Sequence, residues 1–196
     1  GILVSLSGLA IIFFSGIKWK WVAYSLLLGL LFSPLVWLSM TDYQQGRVVT
    51  LLDPQSDPLG AGWHIIQATT AIGSGGIFGK GLSMGTQSYL DFLPETKTDF
   101  IGAVLGEELG FIGLSILIVF YSLIIARCLF MAMQSGSTFG RLLSGSLVVS
   151  FFGYAFVNVA MVCGLLPIVG VPLPLVSYGG TSIISLMIGF GIIMSM

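Results

Sequence analysis

The stretch "TKTDFIGAVLGEELG" sets Asp99 at the threshold of an apolar run and places Glu107 and Glu108 inside it. Charged residues make up only 8% of the chain, so acids in such a setting call for a reason. A carboxylate at the rim of a low-dielectric wall holds a proton more tightly than one in water, which makes it a better proton acceptor near neutral pH. The same acid just ahead of a helix also serves well as an N-cap or first-turn residue, and spacing alone leaves both roles open. Ionisable groups within apolar segments are costly and face a cavity or another charge. On an ideal helix Glu108 lies about 180° from Asp99 and Glu107 about 80° from it. That reading favours Glu108, ahead of Glu107, as the organiser of neighbouring segments.

A second stretch, "AIGSGGIFGKG", resembles a nucleotide-binding phosphate loop but fails the test. Ser74 stands where that loop needs a Gly, and Gly81 stands where it needs Ser or Thr after the Lys. What remains is a run of lightly obstructed amides around Ser74, Gly75 and Gly76, with Lys80 nearby. Such a run could form an anion-binding concavity for a diphosphate or a plain flexible turn. His64 is the one histidine, which excludes a multi-histidine metal site or a His-based triad within this sequence and suits interfacial packing beside Trp63. Cys128 and Cys163 fall in separate apolar runs and are read as packing residues without a disulfide.

These residues must be carried by a membrane protein. Of 196 residues, 56% are hydrophobic and the net charge is −1, which leaves too little polar surface for a water-soluble globule and no basic stripe for nucleic acid. Spans of about 20 apolar residues fit 2–17, 21–40, 101–126, 143–164 and 178–196, giving an all-α polytopic bundle in a single membrane domain. The sequence opens and stops within apolar runs, as expected of a fragment cut inside helices.

Lys18, Lys20, Arg127 and Arg141 flank two of the connections, which places those connections on the cytoplasmic side. The long segment 41–99 and the connection 165–177 then lie outside. The first is too apolar for a solvated tail and is expected to form short ordered pieces on the outer membrane face. The second is broken by Pro167, Pro172 and Pro174, and irregular backbone at membrane depth is tolerated where protein buries it or where it lines a wet cavity. Both outer segments are expected to line one cavity.

Six motifs, "DPLGAGWHIIQ", "AIGSGGIFGKG", "GTQ", "FLPETKTDFIGAVLGEELG", "NVAMVCGLLP" and "GVPLPLVSYGG", resemble in order and spacing the SEDS family of shape, elongation, division and sporulation proteins. The resemblance covers essentially the whole sequence and points to the last five of the family's ten spans. Val169 stands where division-type members usually carry Lys, which favours the elongation (RodA-like) type.

The resemblance implies a peptidoglycan glycosyltransferase that polymerises lipid II, the undecaprenyl-diphosphate-linked precursor, at the outer face of the bacterial cytoplasmic membrane. A class B penicillin-binding transpeptidase is the implied partner. The family's essential acid falls on Asp99, and Lys97 stands where the family commonly has His. Lys80 with the Gly-rich backbone, or a divalent cation of unknown identity, would steady the departing diphosphate, and Gln67 and Gln87 would offer neutral hydrogen bonds to sugar or peptide. Glu107, Glu108, Pro172 and Pro174 would shape the cavity. The alternatives are a transporter that flips lipid II, whose site belongs near the bilayer midplane, and a non-catalytic scaffold for the transpeptidase.

Overall fold

The computed structural model describes Gly8 and residues 19–57, 60–89 and 98–195. The expected span 2–17 falls, apart from Gly8, outside the described residues, as does Lys97. Among the described residues all regular structure is helical: α1 (Trp19–Ser39), α2 (Asp42–Leu52), a 3-10 turn (Pro54–Ser56), α3 (Ala61–Gly75), α4 (Thr86–Tyr89), α5 (Ile101–Gln134), α6 (Thr138–Val162) and α7 (Gly180–Ser195). The described part of 41–99 is thus a series of short helices.

Helices α5 and α6 are long and apolar enough to cross a membrane, α1 and α2 qualify only as one bent pair, and α7 is a shorter apolar helix. The helix expected to end near 126 continues to Gln134, so Arg127 and Arg141 lie inside helices and the connection shrinks to 135–137. The turn is tight because Ser137 caps α6, its Oγ accepting from the Gly140 amide at 3.0 Å. Long Arg side chains can reach an interface from within a helix, so a charge marks a membrane boundary without ending the helix.

Helix α3 lies against α5, and small residues set their spacing. A β-carbon on Gly75 would stand 2.1 Å from the Gly106 carbonyl oxygen. Around this contact Ala68, Ala71, Phe100, Ala103, Met161 and Val162 form one buried cluster joining α3, α5 and α6. Without a hydrophobic drive inside lipid, close backbone approach and dispersion hold such helices together.

Helix α5 is broken at Gly110, whose φ of 66° and ψ of −162° no helix contains. In an unbroken helix the amides of Phe111 and Ile112 would close on the carbonyls of Glu107 and Glu108. Instead they donate to Gly76 O at 2.9 Å and Ile77 O at 3.1 Å, while the two freed carbonyls accept from Lys80 N and Gly81 N, each at 3.0 Å. The segment 76–81 thus replaces two helical bonds with four, leaving none of these backbone groups orphaned. The exchange needs bare backbone on both sides. A β-carbon on Gly110 would lie 2.3 Å from Gly79 N, and one on Gly79 would lie 2.1 Å from Glu108 O.

Gly110→Ala is therefore expected to destabilise the full-length protein by at least about 2 kcal/mol, since backbone strain of about 1–3 kcal/mol in this glycine-favoured region adds to the clash. Gly73→Ala, with nothing within 4 Å of its β-carbon, should be neutral or slightly stabilising. Thermal unfolding of the detergent-solubilised variants measures the difference.

Candidate functional site

Asp99 sits in the turn Thr98–Phe100 that leads into α5. The N-cap position falls on Phe100, so Asp99 stands outside the helix and is not its cap. Its carboxylate lies over the backbone of Gly170, where a β-carbon would come within 3.2 Å of Oδ2. Gly170 has a φ of 72°, a conformation that suits a residue without a side chain. Behind Asp99, Phe100 is buried in the α3–α5–α6 cluster and meets His64 at a ring-centroid distance of 6.3 Å.

Asn158, on α6, was not among the residues singled out from the sequence, although "NVAMVCGLLP" contains it. It is wholly buried, and its Nδ2 donates to Asp99 O at 2.8 Å and to Val171 O at 2.6 Å. Ser177 was missed as well. Its Oγ donates to Thr98 O and accepts from Leu173 N at 2.7 Å. An uncharged polar residue in an apolar run was the available signal, because such a residue must find a partner.

The acids of α5 reverse their expected order. Glu107, not Glu108, is the fully buried one. Glu107 Oε1 accepts from Lys80 Nζ at 2.7 Å, from Thr86 Oγ1 at 3.0 Å and from Gln87 N at 3.2 Å, and Gln87 N also reaches Oε2 at 3.1 Å. Lys80 Nζ further donates to Thr86 Oγ1 at 3.0 Å. Glu108 is half-buried and accepts from Ser83 N at 3.0 Å. Ideal-helix angles from Asp99 do not apply, because Asp99 is not part of the helix and the partner of Glu107 comes from another segment.

Several of the groups expected to bind an anion in the Gly-rich run are engaged by protein partners. The amides of Gly79, Lys80 and Gly81 donate to carbonyls of Gly75, Glu107 and Glu108. Ser74 Oγ donates back to Ala71 O at 2.8 Å, and Gly75 is pressed against α5. The Gly76 carbonyl serves the α5 break. The Lys80 charge is compensated by Glu107, so this run offers an oncoming diphosphate neither free amides at 79–81 nor an unpaired cation.

The profile of the FtsW, RodA and SpoVE family of cell cycle proteins, the SEDS family, matches residues 1–196. The chain belongs to that family. It is 57% identical over 195 residues to the peptidoglycan glycosyltransferase MrdB of Escherichia coli, covering 99% of this chain and 53% of that protein. It is 44% identical over 153 residues to the peptidoglycan glycosyltransferase RodA of Treponema pallidum, covering 78% of this chain and 35% of that one. The chain thus spans about half the length of its MrdB relative. A solved chain from a study of how a peptidoglycan synthase complex coordinates polymerization and crosslinking matches with a TM-score of 0.80 at 30% identity, over 98% of this chain and 53% of that one.

Within this SEDS chain the segments 41–99 and 165–177 share a cavity of about 860 Å³, lined among others by Trp37, Tyr43, Arg47, Asp57, His64 and Ile168. Arg47 crosses between them, donating to Ile168 O and to the Tyr43 hydroxyl. Burial holds the His64 imidazole below its usual pKa, with Asp57 pulling weakly the other way, so its neutral form is favoured. Gln67 is half-buried in mid-α3, and Gln87 joins the Glu107 network through its backbone amide. Pro172 and Pro174 line a second cavity of about 340 Å³ between α6 and α7, and Pro174 O accepts from the Tyr121 hydroxyl at 2.6 Å. Cys128 is buried and Cys163 exposed, both free. Among the described residues no cluster of three His, Cys, Asp or Glu is placed to hold a metal ion.

Lys80→Ala strands a buried carboxylate and is expected to cost on the order of 3 kcal/mol of stability, while turnover per folded molecule changes little. Lys80→Met combined with Glu107→Gln should recover part of that loss, because the second change removes the stranded charge. Denaturation midpoints and specific activity of the full-length variants measure both effects.

Proposed function

We propose that the protein is a peptidoglycan glycosyltransferase that polymerises lipid II at the outer face of the bacterial cytoplasmic membrane, with Asp99 as its general base. The observation that carries this reading is the position of the Asp99 carboxylate. It stands outside the helix that follows it, over the bare backbone of Gly170, where the two outer segments meet. Family membership and the glycosyltransferase relatives support it.

In the proposed reaction the 4-hydroxyl of one sugar attacks the anomeric carbon of another, which carries the lipid diphosphate. Asp99 takes the hydroxyl proton as the new glycosidic bond forms and the bond to diphosphate breaks. Lys80, engaged by Glu107, holds the outer segment in shape rather than serving the leaving group. The similarity to a chain from a peptidoglycan synthase complex supports a class B penicillin-binding transpeptidase as partner.

Asp99→Asn keeps size and hydrogen-bonding capacity but is no longer a carboxylate base. The full-length variant with its transpeptidase partner should insert and assemble normally yet lose about 10²–10⁴ in the rate of lipid II polymerisation. Asp99→Glu should retain partial function at most, since a displacement of about 1 Å can cost on the order of 10²-fold. Glycan synthesis by Asp99→Asn at the wild-type rate would remove Asp99 from the chemistry.

A further inference from the structure

We infer that Asn158 and Ser177 are positioning residues for the Asp99 carboxylate, a role that rests on the proposed function of Asp99. Helix α6 and the Pro-broken segment together grip the turn before α5 at two successive carbonyls. Asn158 holds the carbonyl of Asp99 itself, and Ser177 holds the carbonyl of Thr98. Each of the two side chains also binds the Pro-broken segment, Asn158 at Val171 O and Ser177 at Leu173 N. Val171 adjoins Gly170, over which the carboxylate lies. The base and its floor are therefore tied by the same carboxamide and move together.

The chemistry of the carboxamide makes this arrangement specific. Both groups facing Nδ2 are carbonyl oxygens, which accept only, so the amide has one allowed orientation. Its Oδ1 has no hydrogen-bond partner among the described residues. A wholly buried Asn with half its capacity unused is a poor choice for packing alone. Its value lies in the two donors, which set Asp99 against Val171. Ser177 does the same with one hydroxyl that both donates and accepts. Two parallel stitches across four residues fix a backbone more tightly than either does alone.

A residue that only stabilised the fold would change the amount of folded protein and leave its turnover unaltered. A positioning residue lowers kcat in protein that is folded and assembled, because misplacement of about 1 Å at a reacting centre costs on the order of 10²-fold. The test uses full-length protein copurified with its transpeptidase partner, with lipid II as substrate. Asn158→Leu and Ser177→Ala are expected to lower kcat roughly 10- to 100-fold with KM within about threefold of wild type. Ser177→Thr, which keeps the hydroxyl, should restore most of the rate. If Asn158→Leu does not assemble, the Ser177 pair decides alone.

The decisive readout is a double-mutant cycle. In the Ser177→Ala background the further loss from Asp99→Glu should be far smaller than in the wild-type background, because the carboxylate is already out of register. Full additivity, or unchanged kcat in folded Ser177→Ala, would overturn the inference. Asp99→Asn run alongside separates the failures: activity there would overturn the base assignment itself, whereas an inactive Asp99→Asn with a normal Ser177→Ala would overturn only the positioning role.

Discussion

The break in α5 at Gly110 is the constraint on which the packing of the segment 76–81 depends. A membrane-depth helix cannot simply stop, because each orphaned backbone group in a low-dielectric setting costs several kcal/mol. The amides and carbonyls released at Gly110 are taken up by the segment 76–81, so that segment is bound to α5 by main chain rather than by side-chain preference. Close approach at Gly75, Gly79 and Gly110 is what permits it. The glycines of this run are spaced for contact with another backbone, and the resemblance to a phosphate loop is a by-product of that demand.

Glu107 follows from the same junction. Once 76–81 is seated on α5, Lys80 reaches Glu107 with both its backbone amide and its ammonium, and Thr86 and Gln87 complete the carboxylate's bonds. A buried charge of this kind contributes little net stability compared with a well-packed apolar pair, but it is costly to leave half-made. It fixes where the chain between α3 and α5 must run. The turn before α5 that carries Asp99 is held separately, through the carbonyls of Thr98 and Asp99, by Ser177 and by Asn158 of α6.

Much was legible from composition and order alone. The apolar content and the spacing of charges gave helical membrane architecture, and six motifs in sequence gave the family. Asp99 was legible as an unusual acid because it stands where an apolar run begins. Its choice between cap and base was not legible, since both need an acid where a helix begins; the N-cap position itself falls on Phe100. Asn158 and Ser177 were hidden because nothing in a linear sequence shows which carbonyls they face, 59 and 79 residues away.

By itself the sequence determined the solvent, the helical class, the family and the one acid standing at a membrane threshold, because these rest on composition and local order. Tertiary structure alone decided that Lys80 pairs with Glu107, that Glu107 rather than Glu108 is buried, and that the Gly-rich run clasps a broken helix. The physical reason is the same in each case. A charge or an amide is assigned by whichever partner lies within about 3 Å, and for these groups the partner comes from a segment more than twenty residues away.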